Sequence, residues 1–234
     1  IPLLFIVFFS AIIISGNRMP LILFIFGISV LLVLQKETRK YIPIFIFVFS
    51  LAFLIIFKFN STVRYNFINF YLQIDGIVKT SFLKNTKEVN HFSDYTKEFN
   101  TFYDTWLMNK YIGGGIKSFR WYCHTRPNID KNSKFVCNMH PHNYYLEILT
   151  ETGIFGFLMI FSIFLITLYI SFFKKYFTHS KLKYNHTITP FMLLFLIEIF
   201  PIKSTGSFFT TTNATFIFLV IAVTVALARK ENLN

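Results

Sequence analysis

The chain has 234 residues, 54% of them hydrophobic and only 15% charged. A soluble domain of this length keeps about a quarter of its residues charged, so an ordinary water-soluble fold is excluded and an integral membrane protein is expected. The formal net charge of +12 sits largely beside apolar runs, which points to membrane topology and anionic lipid and away from nucleic acid.

The first residue is Ile. The chain is therefore expected to begin inside a longer protein, with further helices ahead of it. The opening run lacks the basic flank and small-residue cleavage pattern of a signal peptide. Apolar segments fall at 2–15, 19–34 and 41–57, then at 144–173, 188–202 and 207–228. A spanning helix needs about 20 apolar residues, so the expected fold is an all-α integral membrane protein with about five or six transmembrane helices. Three parts follow: N-terminal transmembrane helices over 1–57, a long loop over 58–143, and C-terminal transmembrane helices over 144–234.

Lys36, Arg39 and Lys40, then Lys174, Lys175, Lys181 and Lys183, then Arg229 and Lys230 share one side under simple alternation. The bias of Lys and Arg in short loops makes that side cytoplasmic. The long loop then faces the periplasm, and its length implies structure of its own. Phe92, Tyr95, Phe99, Phe102, Tyr103 and Trp106 recur at three- and four-residue steps, which predicts an amphipathic helix over 92–111 with Ser93 as its N-cap. Such a stripe reads first as packing, and second as a sugar-stacking surface. In "YIGGGIKSFR", three glycines precede Lys117 and Arg120. The glycines make either a plain turn or a nest of N–H groups for a phosphate. Cys123 and Cys137 are the only cysteines. In an oxidising compartment they are expected to join, closing a ring worth about 3 kcal/mol.

At the border between loop and helix stands "MHPHNYYLEILTETGIFGF", residues 139–157. His142 and Asn143 mark the expected start of the fourth apolar helix. Glu147 and Glu151 are four apart and share a helical face. Gly153 and Gly156 permit close approach of another backbone or a ligand. His140 and His142 could form a weak metal pair, could cap the helix at the interface, or could do chemistry; no metal site is expected, because nothing else has ligand spacing. Arg18, in "SGNRMP", is either an interfacial anchor or a bidentate phosphate ligand. Under this topology Arg18, the loop, His140, His142 and the 203–207 turn share one membrane face.

"HNYYLEILTETGIFG" resembles the signature of the O-antigen ligase and O-antigen polymerase superfamily, His-Asn followed after nine residues by Gly-x-x-Gly. It is met here by His142, Asn143, Gly153 and Gly156. "SGNRMPLILFIFG", "FYDTWLMNKYIGGGIKSFRWYC" and "FPIKSTGSFFTTTNATFIF" resemble other family stretches in the same order. The family's proline before the glycine turn is replaced by Lys110 or Tyr111. Members have more spans, so the resemblance is to a C-terminal portion.

The resemblance implies a metal-independent glycosyltransferase without cofactor, in the bacterial inner membrane, with its site facing the periplasm. The donor is expected to be a glycan on undecaprenyl diphosphate. The acceptor is expected to be lipid A–core, or a second lipid-linked glycan for a polymerase. His142 takes the catalytic position, and Arg18 and Arg120 those that hold the diphosphate. His140, Asn143, Glu147, Glu151 and Lys117 are supporting. The chemistry is consistent with this: arginines can stabilise a diphosphate leaving group, and an imidazole can take the acceptor's proton. A polysaccharide transporter is the competing reading. Its ionisable groups should lie near the membrane midplane, and only Glu198 is a candidate for that.

Overall fold

The computed structural model describes residues 2–34, 36–82, 94–127, 137, 142–178, 187–202 and 206–233. Every regular element among them is a helix. The chain packs as two units that part between Asp94 and Tyr95.

The first unit contains α1 (Pro2–Ile14), α2 (Arg18–Leu34), α3 (Ile42–Phe59) and α4 (Ser61–Phe82), with a 3-10 turn, Lys36–Tyr41, ahead of α3. Phe9, Ile13, Leu21 and Val63 are its buried centre, with Phe24, Phe49, Phe53 and Phe67 packed around them. The Phe9 and Phe49 rings lie 4.2 Å apart, and Phe53 meets Phe67 edge-on at 5.2 Å. The helix over 61–82 is a departure from the expected loop. Val63 and Phe67 pack into the core at helical spacing, while Arg64, Asn66 and Gln73 dilute the apolar signal. A single residue turns α3 into α4: the Asn60 side chain accepts from the Val63 N–H at 3.1 Å and caps the new helix.

The second unit contains α5 (Asp94–Met108), a short α6 (Phe119–Tyr122), α7 (Tyr144–Leu168), α8 (Ile188–Glu198) and α9 (Thr211–Leu233). α7 continues into a π-helical segment, Tyr169–Thr178. Tyr144, Ile148 and Phe164 of α7 pack with Phe195 of α8, Phe208, and Ile217, Val220 and Ile221 of α9. The Tyr145 hydroxyl donates to the Ile199 carbonyl at 2.6 Å, tying α7 to the end of α8. α8 stops just before Pro201, as a residue preceding proline disfavours helix. The expected amphipathic helix is present as α5. Phe102 is buried on it and Tyr103 is exposed; Phe92 and Ser93 lie outside the described residues.

Three helical stretches among the described residues are long and apolar enough to cross a membrane: Arg39–Phe59, Tyr144–Phe173 and Thr211–Lys230. Arg18–Leu32 and Ile188–Glu198 are apolar but shorter. α3 buries no residue and exposes Ile44, Phe47 and Leu54, the pattern of a helix solvated by lipid on most sides.

Candidate functional site

The site begins at a break in α7. Gly153 has φ 66° and ψ −171°, outside helical space. A break of this kind strands backbone groups on both sides of it. Residues 110–115 take them up. Gly114 N–H donates to the Thr150 carbonyl (3.2 Å) and Gly115 N–H to the Glu151 carbonyl (2.8 Å). In return, Ile154 N–H donates to the Lys110 carbonyl (2.9 Å) and Phe155 N–H to the Tyr111 carbonyl (3.3 Å). Glycine is required on both sides. A Cβ on Gly113 would collide with the Glu151 carbonyl, and one on Gly153 with the Tyr111 carbonyl. Gly113 N–H is held by the Asn109 carbonyl at 2.9 Å. The backbone of this turn therefore serves the broken helix and not an incoming phosphate.

The turn delivers side chains to a cavity of about 260 Å³ lined by Lys117, Phe119, Arg120, Glu151, Gly206, Ser207 and Thr210. Lys117 has φ 61°, and its N–H donates to Glu151 Oε2 at 2.7 Å. Glu151 is 3% exposed; the Lys117 and Arg120 side chains are open. The opposite wall is fixed by Glu147, 1% exposed. Its carboxylate accepts from the Ser207 hydroxyl and from Phe208 N–H at 2.7 Å. Asn213 Nδ2 donates to the Ser207 carbonyl at 2.9 Å, and Thr210 Oγ1 does so at 3.1 Å. α9 starts directly after Thr210, so the cavity lies at a helix N-terminus, where anions are favoured. Two exposed cations, two hydroxyl side chains and a helix N-terminus suit a phosphorylated ligand; the buried carboxylate beside them suits a sugar hydroxyl.

His142 is placed differently. Asn143 caps α7, its side chain accepting from Leu146 N–H at 3.1 Å. His142 just ahead of it has φ 51°. Lys117 and His142 are the two non-glycine residues with positive φ among the described ones, and strain of this kind concentrates at functional positions. His142 Nε2 lies 4.0 Å from Glu98 Oε2 of α5, and both side chains are largely buried. The carboxylate next to His142 is thus Glu98 of α5, and not the expected Glu147 or Glu151. Glu147 and Glu151 direct their bonds to the two walls of the cavity. His142 does not line that cavity.

Cys123 and Cys137 form a disulfide. It packs with Phe102, Phe119 and Leu146, where the Phe102 and Phe119 rings stack at 3.5 Å. Arg126 Nη1 donates to the Cys123 carbonyl at 2.9 Å; burial lowers the pKa of its guanidinium and Asp104 raises it. The disulfide therefore joins the helix carrying Arg120 to the segment leading to His142. Arg18 heads α2 in the first unit, its guanidinium 5.3 Å from the Phe70 ring centroid. His140 and residues 203–205 lie outside the described residues. Among the described residues no group of three or more His, Cys, Asp and Glu is arranged to hold a metal.

Ser207 enters the sequence analysis only as the end of the 203–207 turn, and Thr210 does not enter it as a site residue. The signal for Thr210 is a run of threonines after the Gly-Ser pair and ahead of an apolar helix, "GSFFTTTNATF". A family model described as O-antigen ligase matches residues 3–161. No curated protein and no solved structure matches the chain.

Proposed function

The chain belongs to the O-antigen ligase family, and from that premise we propose that it transfers a glycan from undecaprenyl diphosphate to lipid A–core at the periplasmic face of a bacterial inner membrane. The observation that carries this reading is the cavity lined together by Lys117, Arg120, Ser207 and Thr210. Lys117 and Arg120 take the diphosphate, Arg120 bidentately. By its place in the family's Ser-Gly-x-Arg stretch, Arg18 is assigned a diphosphate-holding role as well. His142 accepts the proton of the acceptor hydroxyl, with Glu98 beside it favouring the imidazolium that forms.

In the step itself, the acceptor oxygen attacks the anomeric carbon and its proton passes to His142. The bond from that carbon to the diphosphate oxygen breaks. The electron pair leaves with the lipid diphosphate, whose charge the cations stabilise. Attack opposite the leaving group inverts the anomeric centre. Lys and Arg supply the positive charge, so the reaction needs no metal. Glu147 and the disulfide act at a distance by fixing the cavity wall and the loop.

The test is deletion of the full-length gene, with surface lipopolysaccharide read on a gel, then complementation by wild type and by His142→Ala. Loss of the whole ladder with lipid-linked polymer accumulating supports the ligase. Core carrying a single repeat assigns an O-antigen polymerase instead. Full complementation by His142→Ala would remove His142 from the chemistry.

A further inference from the structure

The turn that plugs the broken helix carries large apolar side chains that point away from the protein. Tyr111 is 68% exposed, Ile112 77% and Ile116 63%. They cannot relax inward, because the turn's backbone is bonded on both strands to α7 and Gly113 is wedged against the Glu151 carbonyl. Contiguous exposed apolar groups on a fixed backbone need a solvent other than water.

The height of the turn can be read from α7. The candidate span Tyr144–Phe173 has 30 residues, well above the ~20 that cross a hydrocarbon core. Lys174 and Lys175 follow it and mark one boundary. Counting back about 20 residues from there places the other boundary close to Gly153. That is where the turn is bonded, through Ile154 and Phe155. The Tyr111 ring lies 6.4 Å from that of Phe155. Phe155, Leu158 and Met159 are themselves exposed and continue the same apolar surface along the span. Exposed Lys110, Lys117 and Arg120 flank the turn, as basic residues do at the level of lipid phosphates.

We propose that residues 111–116 form a membrane wedge, with Tyr111, Ile112 and Ile116 seated among the acyl chains of bilayer lipids beside Phe155. The wedge sets the cavity, which opens a few residues further along the same segment, at the depth of the head groups. This holds whatever transfer chemistry the cavity performs.

The test is depth-dependent quenching in vesicles of phosphatidylethanolamine and phosphatidylglycerol. The full-length protein carries Ile112→Trp, with every other tryptophan, Trp106 and Trp121 among them, replaced by Phe. Emission is expected to be blue-shifted and quenched about twofold by lipid brominated in the upper acyl chain, because interfacial elements reach about 5–10 Å into that boundary. Quenching by aqueous iodide without quenching by bromolipid overturns the proposal, since the turn is then in water. Protection from both quenchers also overturns it, since protein then covers the turn. Wild-type protein in vesicles containing a phospholipid with a photoactivatable acyl chain gives an answer free of substitutions. Cross-links in the peptide that contains Tyr111, Ile112 and Ile116 are expected; cross-links on α3 or α9 with none there would overturn the wedge.

Discussion

Replacing Gly153 by Ala tests the joint on which the candidate site rests. At φ 66° and ψ −171° the residue occupies backbone space that is essentially glycine's alone, and holding an alanine there costs about 1–3 kcal/mol. The new Cβ would also strike the Tyr111 carbonyl, so the turn must move away. Four backbone hydrogen bonds join 110–115 to 150–155. Losing two of them, at about 1 kcal/mol net each, brings the total to about 4 kcal/mol. That is roughly a thousandfold shift against the assembled joint. Gly115→Ala is the control. Its φ of 100° is strained for alanine, but a Cβ there meets nothing within 4 Å, so only the strain of about 1–3 kcal/mol applies. The assay is glycan transfer by purified full-length protein in vesicles, alongside thermal unfolding followed by size-exclusion chromatography. Gly153→Ala and Gly113→Ala are expected to lose transfer while still inserting in the membrane, and Gly115→Ala to keep most of it. Gly153→Ala with the activity of Gly115→Ala would mean that the collision has no consequence and that transfer does not need the joint.

Arg120→Ala removes a charge-assisted contact worth about 1.5–3 kcal/mol, so kcat/KM for the lipid-linked donor should fall about 10- to 100-fold. Lys117→Ala should cost less, and competition by inorganic pyrophosphate should weaken in parallel for both. Glu98→Gln should slow transfer in the wild-type background but have no further effect in His142→Ala, so a double-mutant cycle on kcat reads the pair directly. Independent effects of the two substitutions would break the assignment. Reducing the disulfide, or replacing Cys123 by Ser, should lower stability by about 3 kcal/mol on the chain-entropy account. It should also reduce transfer more than membrane insertion, read by comparing activity with the amount of membrane-bound protein.

Much of the helical layout was legible in the composition, because long apolar runs bounded by Lys and Arg have few other solutions. α4 was not, because Arg64, Asn66 and Gln73 interrupt its apolar stripe and its helical period appears only once Val63 and Phe67 are seen to pack. The spacing of His142, Asn143, Gly153 and Gly156 carried the family. It could not reveal why Gly153 matters: a single glycine in an apolar run reads as helix, and its partner turn lies about forty residues earlier. Glu98 was hidden for the same reason. Nothing local ties it to His142, and on an amphipathic helix a glutamate is ordinarily on the wet face. Glu147 and Glu151 were singled out as a pair on one face, and both are buried, yet each serves a different wall.

The joint between the glycine turn and α7 also has a place in time. Residues 110–115 leave the ribosome before the carbonyls and N–H groups at 150–155 that they bind. At about 5–20 residues per second, a gap of about forty residues lasts roughly 2–8 seconds. During that interval the turn has no template, and Cys123 and then Cys137 are made before residues 150–155, so their ring can close first. The loop can thus be fastened before the glycine turn docks. The cavity lined by Arg120 and Ser207 comes into being only when residues 206–210 have followed α8, so the protein cannot bind its ligand through this site until those residues are made.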